Sequence, residues 1–235
     1  MVSDNEIDQG SSNIIAVAID DSLGGHKSSI EEAIEKILLW AHSKIGAEQL
    51  VQAKEQFYWK TGKFFPDDIF YVNRISYFID YFIFERPLET SNQFSGKTPF
   101  ECYQDLKDDH QIQDFHHSVF SVHKISDVGI ILKDMIHKTR YKISARSTER
   151  FDGILKNDIF QGFIYQIQDQ YWLSRGLIFH PHKAYRSIRK SVKKELKKED
   201  LQVNIVLQKL ARQQLRHLRH EHVNPRVFYL EESAS

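Results

Sequence analysis

The residues best suited to chemistry in this 235-residue chain are the lysines and arginines near its C-terminal end. Between Lys183 and Arg226 there are 13 Lys and Arg against 4 Asp and Glu. Helical spacing places the cations in stripes, and a cationic stripe can neutralise nucleic-acid phosphates and release their counterions. We therefore expect nucleic-acid contacts from Lys183, Arg186, Arg189, Lys190, Lys193, Lys194, Lys197, Arg212, Arg216 and Arg219.

Aromatic side chains could add base stacking to these contacts. The candidates are one tyrosine at the start of the basic segment and three rings in the strands before it. They are Tyr185, Tyr165, Tyr171 and Trp172.

The same charge also has a protein-based explanation. Residues 1–120 hold 20 acidic and 10 basic residues, and residues 121–235 hold 12 acidic and 22 basic ones, so the net charge of zero hides two opposed halves. Such asymmetry points to an anionic partner, or to attraction between the halves themselves. The basic segment could equally dock on an acidic protein surface or hold a homodimer through its leucine-rich helix.

A third possibility lies between the predicted strands. Arg146 and Arg150 have the R-x-x-x-R spacing with which PilZ domains bind cyclic di-GMP. Two guanidinium groups can form bidentate hydrogen bonds with phosphate and can stack on guanine. The second PilZ motif, [DN]-x-S-x-x-G, resembles residues 157–162, but Ile159 stands where the Ser belongs. The interval between the two motifs is also too short.

Other chemistry-bearing residues have simpler explanations. The pairs His180/His182 and His217/His220 lack the further ligands that zinc needs, so we interpret them as imidazoles on basic surface elements. Gly96-Lys97-Thr98 lacks the earlier Gly of a phosphate-binding loop, and Cys102 suits a helix core. No nucleophile signature is present in the sequence, which therefore favours a non-enzymatic protein without metal or cofactor.

Composition narrows the class further. No apolar run approaches the ~18–20 residues of a membrane helix, and no basic, apolar leader begins the sequence. The basic helical stretch carries no Trp or Phe up to His220, which argues against binding to a membrane surface. One cysteine excludes a disulfide framework, so we expect a reducing cytoplasm.

The helices that must position these groups follow from apolar spacing. Residues 30–45 and 47–60 predict two helices that end near Gly46 and Gly62. Residues 69–84 are apolar around most of the circumference, which predicts the most buried helix, starting after Asp67 and Asp68. Thr98 and Glu101 then have the spacing of a capping box.

Strand-like segments follow. Residues 118–125, 129–135, 140–147, 158–167 and 171–179 are short, β-branched and aromatic, which predicts a small five-stranded antiparallel barrel. After Pro181 the pattern is helical again, and the apolar stripe of residues 201–218 must be buried within the chain or by dimerisation. Residues 226–230 predict a last strand that could pair with residues 13–19.

Residues 57–68, 77–88 and 96–99, with the segment Leu155-Lys-Asn-Asp-Ile-Phe160, are similar to an uncharacterised bacterial family related to SEC-C-motif proteins. The resemblance covers roughly residues 57–180. It implies an aromatic-rich helical half followed by a small β-barrel, and it implies no activity. The SEC-C zinc motif needs several cysteines and does not carry over to a chain with one.

These observations together predict an α+β fold with four parts. They are a flexible segment (1–27), a helical bundle (28–114), a small barrel (115–181) and a basic helical arm with a C-terminal strand (182–235). We expect a cytoplasmic regulatory or adaptor protein whose basic arm contacts nucleic acid. The alternatives are a protein-interaction or dimerisation module and a PilZ-like cyclic-dinucleotide sensor.

Overall fold

A computed structural model of the chain describes residues 29–89, 93–106, 111–144, 153–197 and 202–229. Within these ranges the fold mixes helices and strands, as the sequence predicts. The helices are α1 (Ser29–Ile45), α2 (Ala47–Thr61), α3 (Tyr71–Phe84), α4 (Pro99–Leu106), α5 (Tyr185–Glu195), α6 (Val203–Leu218) and α7 (Pro225–Tyr229). The strands are β1 (Asp114–Ser126), β2 (Gly129–Asp134), β3 (Arg140–Ser144), β4 (Ile159–Ile167), β5 (Gln170–Leu173) and β6 (Ile178–His180).

The ends of α1 and α2 confirm the sequence prediction. Gly46 and Gly62 both have positive φ, at 97° and 92°, a conformation that costs glycine little. The amide of Gly62 donates to the carbonyl of Tyr58 at 2.8 Å and so closes the last turn of α2.

Helix α3 is the most buried helix, as predicted, with 11 of its 14 residues buried. Its start differs from the prediction. The carboxylate of Asp68 accepts a hydrogen bond from the amide of Phe65 at 2.8 Å, which closes a separate turn before the helix begins at Tyr71. The residue at the N-cap of the helix is Phe70, which makes no side-chain cap bond.

The predicted capping box at α4 is confirmed. The amide of Glu101 donates to the Thr98 hydroxyl at 3.2 Å, and the amide of Thr98 donates to the Glu101 carboxylate at 2.7 Å. Because Thr98 is used in this way, Gly96-Lys97-Thr98 is a helix start, in which Lys97 pairs with Asp105 at 2.6 Å.

The sheet has six strands, in the order β1-β2-β3-β5-β4-β6, and β1 also pairs with β4. The pairings therefore run in a ring through β1, β2, β3, β5 and β4, while β6 lies outside the ring beside β4. Most pairs are antiparallel, but β3 and β5 meet through one parallel bridge between Ile143 and Tyr171. The sheet is thus mixed and six-stranded, whereas the sequence predicts five antiparallel strands.

The sixth strand arises because the predicted segment 171–179 is interrupted. The Ser174 hydroxyl donates to the carboxylate of Asp80 on α3, and it accepts from the amide of Gly176 at 2.7 Å. These hydrogen bonds hold residues 174–177 against α3, so that β5 ends at Leu173 and β6 begins at Ile178. Sequence alternation alone does not reveal such a tertiary contact.

The C-terminal segment is helical, so the prediction of a strand at 226–230 is wrong over the described residues. The amide of Arg226 donates to the Asn224 side chain at 3.1 Å, and Pro225 occupies the first helical position. Asn before Pro is a helix start as well as a breaker, because it caps free amides. Residues 13–19, its predicted partner, lie outside the described residues.

Three hydrophobic clusters hold these elements together. One packs α1 to α4 against Phe163 and Tyr165 of β4 and Ala211 of α6. A second joins α5, α6 and α7 to β1 and β4, and a third fills the ring of strands. Packing therefore crosses the predicted boundaries at 114 and 181, and the division of the chain into domains stays a prediction.

Gly176, between β5 and β6, allows a close approach to α3. A Cβ added at Gly176 would overlap the backbone of Tyr77 on α3, whereas one added at Gly153 would meet open space. We predict that Gly176→Ala lowers the free energy of unfolding by about 3 kcal/mol or more, because neither backbone can yield cheaply. Urea unfolding of the purified variant measures this loss.

The control for that prediction is Gly153→Ala. Gly153 has a φ of 87°, so its substitution costs only the strain of a left-handed alanine, about 1–2 kcal/mol. Equal losses in the two variants would contradict close packing at Gly176.

Candidate nucleic-acid interface

Helix α5 places its basic residues at the surface. Ile188 and Val192, one turn apart, are buried among Met135 and Ile136 of the turn after β2 and the leucines of α6. With the apolar side anchored, the polar side faces solvent. The predicted residues of this segment are all exposed: Lys183, Arg186, Arg189, Lys190, Lys193, Lys194 and Lys197.

The apolar face of α6 is covered by the chain itself. Leu207, Leu210 and Leu215 are buried, and the side-chain amide of Gln161 on β4 donates to the carbonyl of Leu207 at 3.0 Å. Of the two possibilities that the sequence leaves open, docking within the chain therefore accounts for the leucine stripe.

The second predicted stripe contacts the helical half of the molecule. Arg212 donates to the carbonyl of Trp59 at the end of α2, and Arg219 donates to the carbonyl of Lys63 at 2.6 Å. Arg219 also lies 3.7 Å from a carboxylate oxygen of Asp68. Arg212, Arg216 and Arg219 all remain exposed, so these bonds leave part of each guanidinium open to solvent.

Cations that the sequence analysis missed extend the surface beside α5. Lys133 of β2 pairs in register with Arg140 of β3, so both side chains leave the same face of the sheet. Lys142 shares this face, and Lys124 of β1 is opposite Ile131 on it. The signal available in the sequence was the alternation in β3, where the exposed Arg140 and Lys142 alternate with the buried Tyr141 and Ile143.

Lys138 joins the two groups of cations. Burial lowers the pKa of Lys138, and the positive charges of Lys133, Arg189 and Lys193 lower it further, against the opposing effect of Asp134. Cations of β2 and of α5 therefore both lie near Lys138. We call this surface the basic face: Lys133, Lys138, Arg140, Lys183, Arg186, Arg189, Lys190, Lys193, Lys194 and Lys197.

The carboxylate beneath the basic face is turned inward. Asp134 is fully buried, and its Oδ1 accepts hydrogen bonds from the Ser118 hydroxyl at 2.6 Å and from the Ile136 amide at 2.7 Å. Its other oxygen lies 2.9 Å from Nδ1 of His137. Asp134 thus holds the turn that carries Lys138 and is not exposed on the basic face.

The predicted stacking residues have different environments. Tyr185 is exposed at the start of α5, beside the basic face. Tyr165 is fully buried in the helical core, so the prediction that it stacks on bases is wrong. Tyr171 and Trp172 are half-buried, and Tyr171 packs edge-on to Tyr141.

The histidine pairs do not converge. His180 is buried, whereas His182 is exposed and lies 2.9 Å from a carboxylate oxygen of Asp158. His217 and His220 both lie beside the Phe228 ring, with centroid distances of 5.9 and 6.0 Å. Among residues 29–89, 93–106, 111–144, 153–197 and 202–229, no three His, Cys, Asp or Glu side chains group as metal ligands would.

A buried polar chain, missed by the sequence analysis, links α3 to the C-terminal helices. Nε2 of His117 lies 2.7 Å from the Tyr77 hydroxyl, and Nδ1 of His117 lies 2.7 Å from Glu85. Gln161 donates to the Tyr77 hydroxyl at 2.7 Å, and its oxygen lies 3.2 Å from Nε2 of His180.

The polar chain ends at α7, where Nδ1 of His180 lies 2.8 Å from the Tyr229 hydroxyl. Because these side chains bond to one another inside the core, the chain fixes how α3, β1, β4, β6 and α7 are arranged. Burial and the positive charge of Arg74 together lower the pKa of His180 to about 3, so its ring is neutral at neutral pH.

Two other predicted groups can be placed. Cys102 is buried in the helical core, as predicted, and burial raises the pKa of its thiol. Arg146 and Arg150 lie outside the described residues, so the cyclic-dinucleotide site stays a prediction.

Comparison with protein-family models, curated proteins and solved structures found no match to this chain. In the part of the chain that the structure describes, none of the helices combines the length and apolar character needed to cross a membrane.

The buried imidazole of His180 makes stability depend on pH. Its folded pKa lies below the unfolded value of about 6.5, so its contribution to stability is complete above that pH and is lost as the pH falls toward 3. We predict that His180→Gln removes up to about 1.4 kcal/mol per pH unit from the slope of unfolding free energy. Urea midpoints between about pH 7.5 and pH 5 measure that slope.

The control is His182→Gln, two residues further along the chain. Its ring is exposed, so most of the slope should survive. If His180→Gln retained the full wild-type slope, the neutral buried ring would be the wrong explanation.

Proposed function

We propose that this protein is a non-enzymatic cytoplasmic regulatory or adaptor protein whose basic face binds the phosphate backbone of nucleic acid. The observation that supports the proposal most directly is the continuity of the basic face across α5 and the β2–β3 turn. A surface built from two elements offers cations over an area, whereas an isolated helix offers a line.

The dimensions of the basic face suit a phosphate backbone. From Arg186 to Lys197 the chain rises about 17 Å at 1.5 Å per helical residue. That length spans about five phosphates of one strand at 3.4 Å spacing. Because the exposed side chains are mainly Lys and Arg of differing reach, we expect contacts that ignore base sequence.

A binding partner that is an acidic protein remains the alternative. An acidic protein would contact the same cations as nucleic acid, so the binding experiment uses a nucleic-acid probe to tell the two partners apart. Intrachain hydrogen bonds already engage Arg212 and Arg219, which donate to the carbonyls of Trp59 and Lys63. We place the phosphate contacts of a duplex on the basic face, because its cations are exposed and come from two neighbouring elements.

Fluorescence anisotropy with a mixed-sequence duplex of about 20 base pairs tests the proposal across salt concentrations. We predict that Lys190→Gln and Lys193→Gln each weaken binding at low salt. Each should also lower the slope of log K against log salt by about 0.9, because one fewer counterion is released.

Lys44→Gln is the matched control for these substitutions. Lys44 is exposed near the end of α1, away from the basic face, and its loss should leave both affinity and slope unchanged. No binding at low salt, or an equal effect of all three substitutions, would contradict the proposal. Point substitutions are preferable to removing residues 182–235, because that deletion would remove α6 and expose the core residues on which its leucines pack.

The sheet side of the basic face supplies a further prediction. Arg140→Gln should reduce the salt slope as Lys190→Gln does, because Arg140 shares a face with Lys133 beside Lys138. The same anisotropy titration measures it. A slope equal to that of the wild type would confine the interface to α5.

The cyclic-dinucleotide alternative has its own test. Charge reversal at Arg146 and Arg150 should abolish binding of labelled cyclic di-GMP if the R-x-x-x-R pair forms the site. Unchanged affinity would remove that alternative without affecting the basic face.

A further inference from the structure

A row of exposed side chains runs the length of α6. Its members are three or four residues apart, so they share one side of the helix, and it ends beside the segment that follows α2. The row covers a rise of about 21 Å, at 1.5 Å per residue over 14 residues. It consists of Ile205, Lys209, Arg212, Arg216 and Arg219, and we call it the α6 row.

Two exposed aromatic rings from the helical half lie beside the α6 row. The side chain of Trp59 is 79 % exposed, and its carbonyl accepts a hydrogen bond from Arg212. Phe65 is 44 % exposed, with the Arg219 guanidinium 5.8 Å and the Lys63 ammonium 5.3 Å from its ring centroid. The Phe65 ring therefore has two cations next to it, Arg212 reaches the backbone of Trp59, and both rings have an open side facing solvent.

We propose that Trp59 and Phe65, with the α6 row, form a base-stacking platform for single-stranded nucleic acid. A cationic track with aromatic rings beside it is the arrangement that holds unpaired strands, because every base has a π-face. Duplex bases are already stacked inside the helix and cannot reach the rings. The inference rests on the proposed function, since it assigns the class of nucleic acid that the same protein prefers.

The spacing of the two rings agrees with such a strand. Arg212, which bonds the Trp59 carbonyl, and Arg219, which lies over the Phe65 ring, are seven residues apart, or about 10 Å of helix rise. That is about three times the 3.4 Å repeat of stacked nucleotides, so bases about three positions apart in one short strand can use the two rings. Lys209 and Arg216 lie in the same row as the phosphate contacts of that strand.

An apolar partner or a membrane surface is the main competing occupant. The sequence argues against a membrane surface because the basic helices lack Trp and Phe, and in the fold Trp59 and Phe65 of other segments lie beside α6. The two occupants differ in what they need. An apolar partner would use Ile69, which is 94 % exposed and follows Phe65 by four residues, as readily as Trp59. Nucleic-acid bases, in contrast, need an aromatic ring on which to stack.

The test compares single-stranded RNA and DNA of about 12 nucleotides with a duplex of the same sequence. We expect Trp59→Ala to weaken single-strand binding about 5- to 100-fold and duplex binding less than about twofold. Trp59→Phe should keep most of the affinity because a ring remains. Ile69→Ala is the control for apolar area in the same corner and should leave both affinities unchanged.

Tryptophan fluorescence gives an independent measurement. Trp40 and Trp172 are half-buried, so Trp59 is the tryptophan among the three that a base can most readily reach. The single strand should quench the emission of the wild type and should quench Trp59→Phe much less. Because Trp59 is mostly exposed, its variants should unfold within about 0.5 kcal/mol of the wild type, which separates lost binding from lost folding.

Each remaining outcome overturns a specific statement. Duplex and single strand both bound, with Trp59→Ala affecting them equally, would overturn the platform and leave the proposed function standing. Equal loss in Trp59→Ala and Ile69→Ala, together with binding to anionic phospholipid vesicles, would identify an apolar or membrane surface. No binding of any nucleic acid at low salt would overturn the proposed function itself.

Discussion

Enclosure of α3 is the constraint on which the other elements depend. A helix that is apolar on nearly every side cannot lie at a surface, so it must be covered around most of its circumference. Helices α1, α2 and α4 cover it on one side, β4 and β6 on another, and α6 contributes Ala211 and the carbonyl that Arg74 bonds at 2.8 Å. The C-terminal helices are therefore part of the same core and not an appended arm.

The buried polar groups around α3 fix its position relative to the sheet. Apolar contacts alone would tolerate small shifts between a helix and a sheet, since the hydrophobic effect has no preferred orientation. Hydrogen bonds across the helix–sheet contact allow only one position, because a shift would leave buried atoms without partners. They join Tyr77 to His117 and Gln161, and Ser174 to Asp80. The absence of a side chain at Gly176 lets the sheet come close enough for them.

Local signals in the sequence predicted the helices well, because capping residues, terminal glycines and apolar spacing act within a few residues. The interruption between β5 and β6 was not predictable, because it depends on α3, which lies some ninety residues earlier in the chain. Residues 226–230 were assigned to a strand because their apolar composition outweighed the Asn-Pro signal. That signal describes a helix start as much as a helix break.

For the candidate site, the sequence predicted which helix surfaces carry charge but not what lies beside them. The contribution of Lys133, Lys138 and Arg140 required the register between β2 and β3 and the packing of the following turn on α5. Trp59 and Phe65 are more than a hundred residues from α6, so only the tertiary structure associates them with its arginines. Tyr165 failed as a stacking residue because a strand within a shared core has no solvent face.

Docking of α5 and α6 on the core has a consequence for how a ligand would be bound. Basic tails that are disordered when free lose conformational entropy as they settle on a ligand, and this cost lowers their affinity for a given contact area. Here Ile188, Val192 and Leu207 already hold the backbone, so the cations are preorganised and only their side chains lose freedom. Association with a polyanion should therefore release counterions while burying little new apolar surface. Its heat-capacity change should be small, which distinguishes rigid-body docking from folding upon binding.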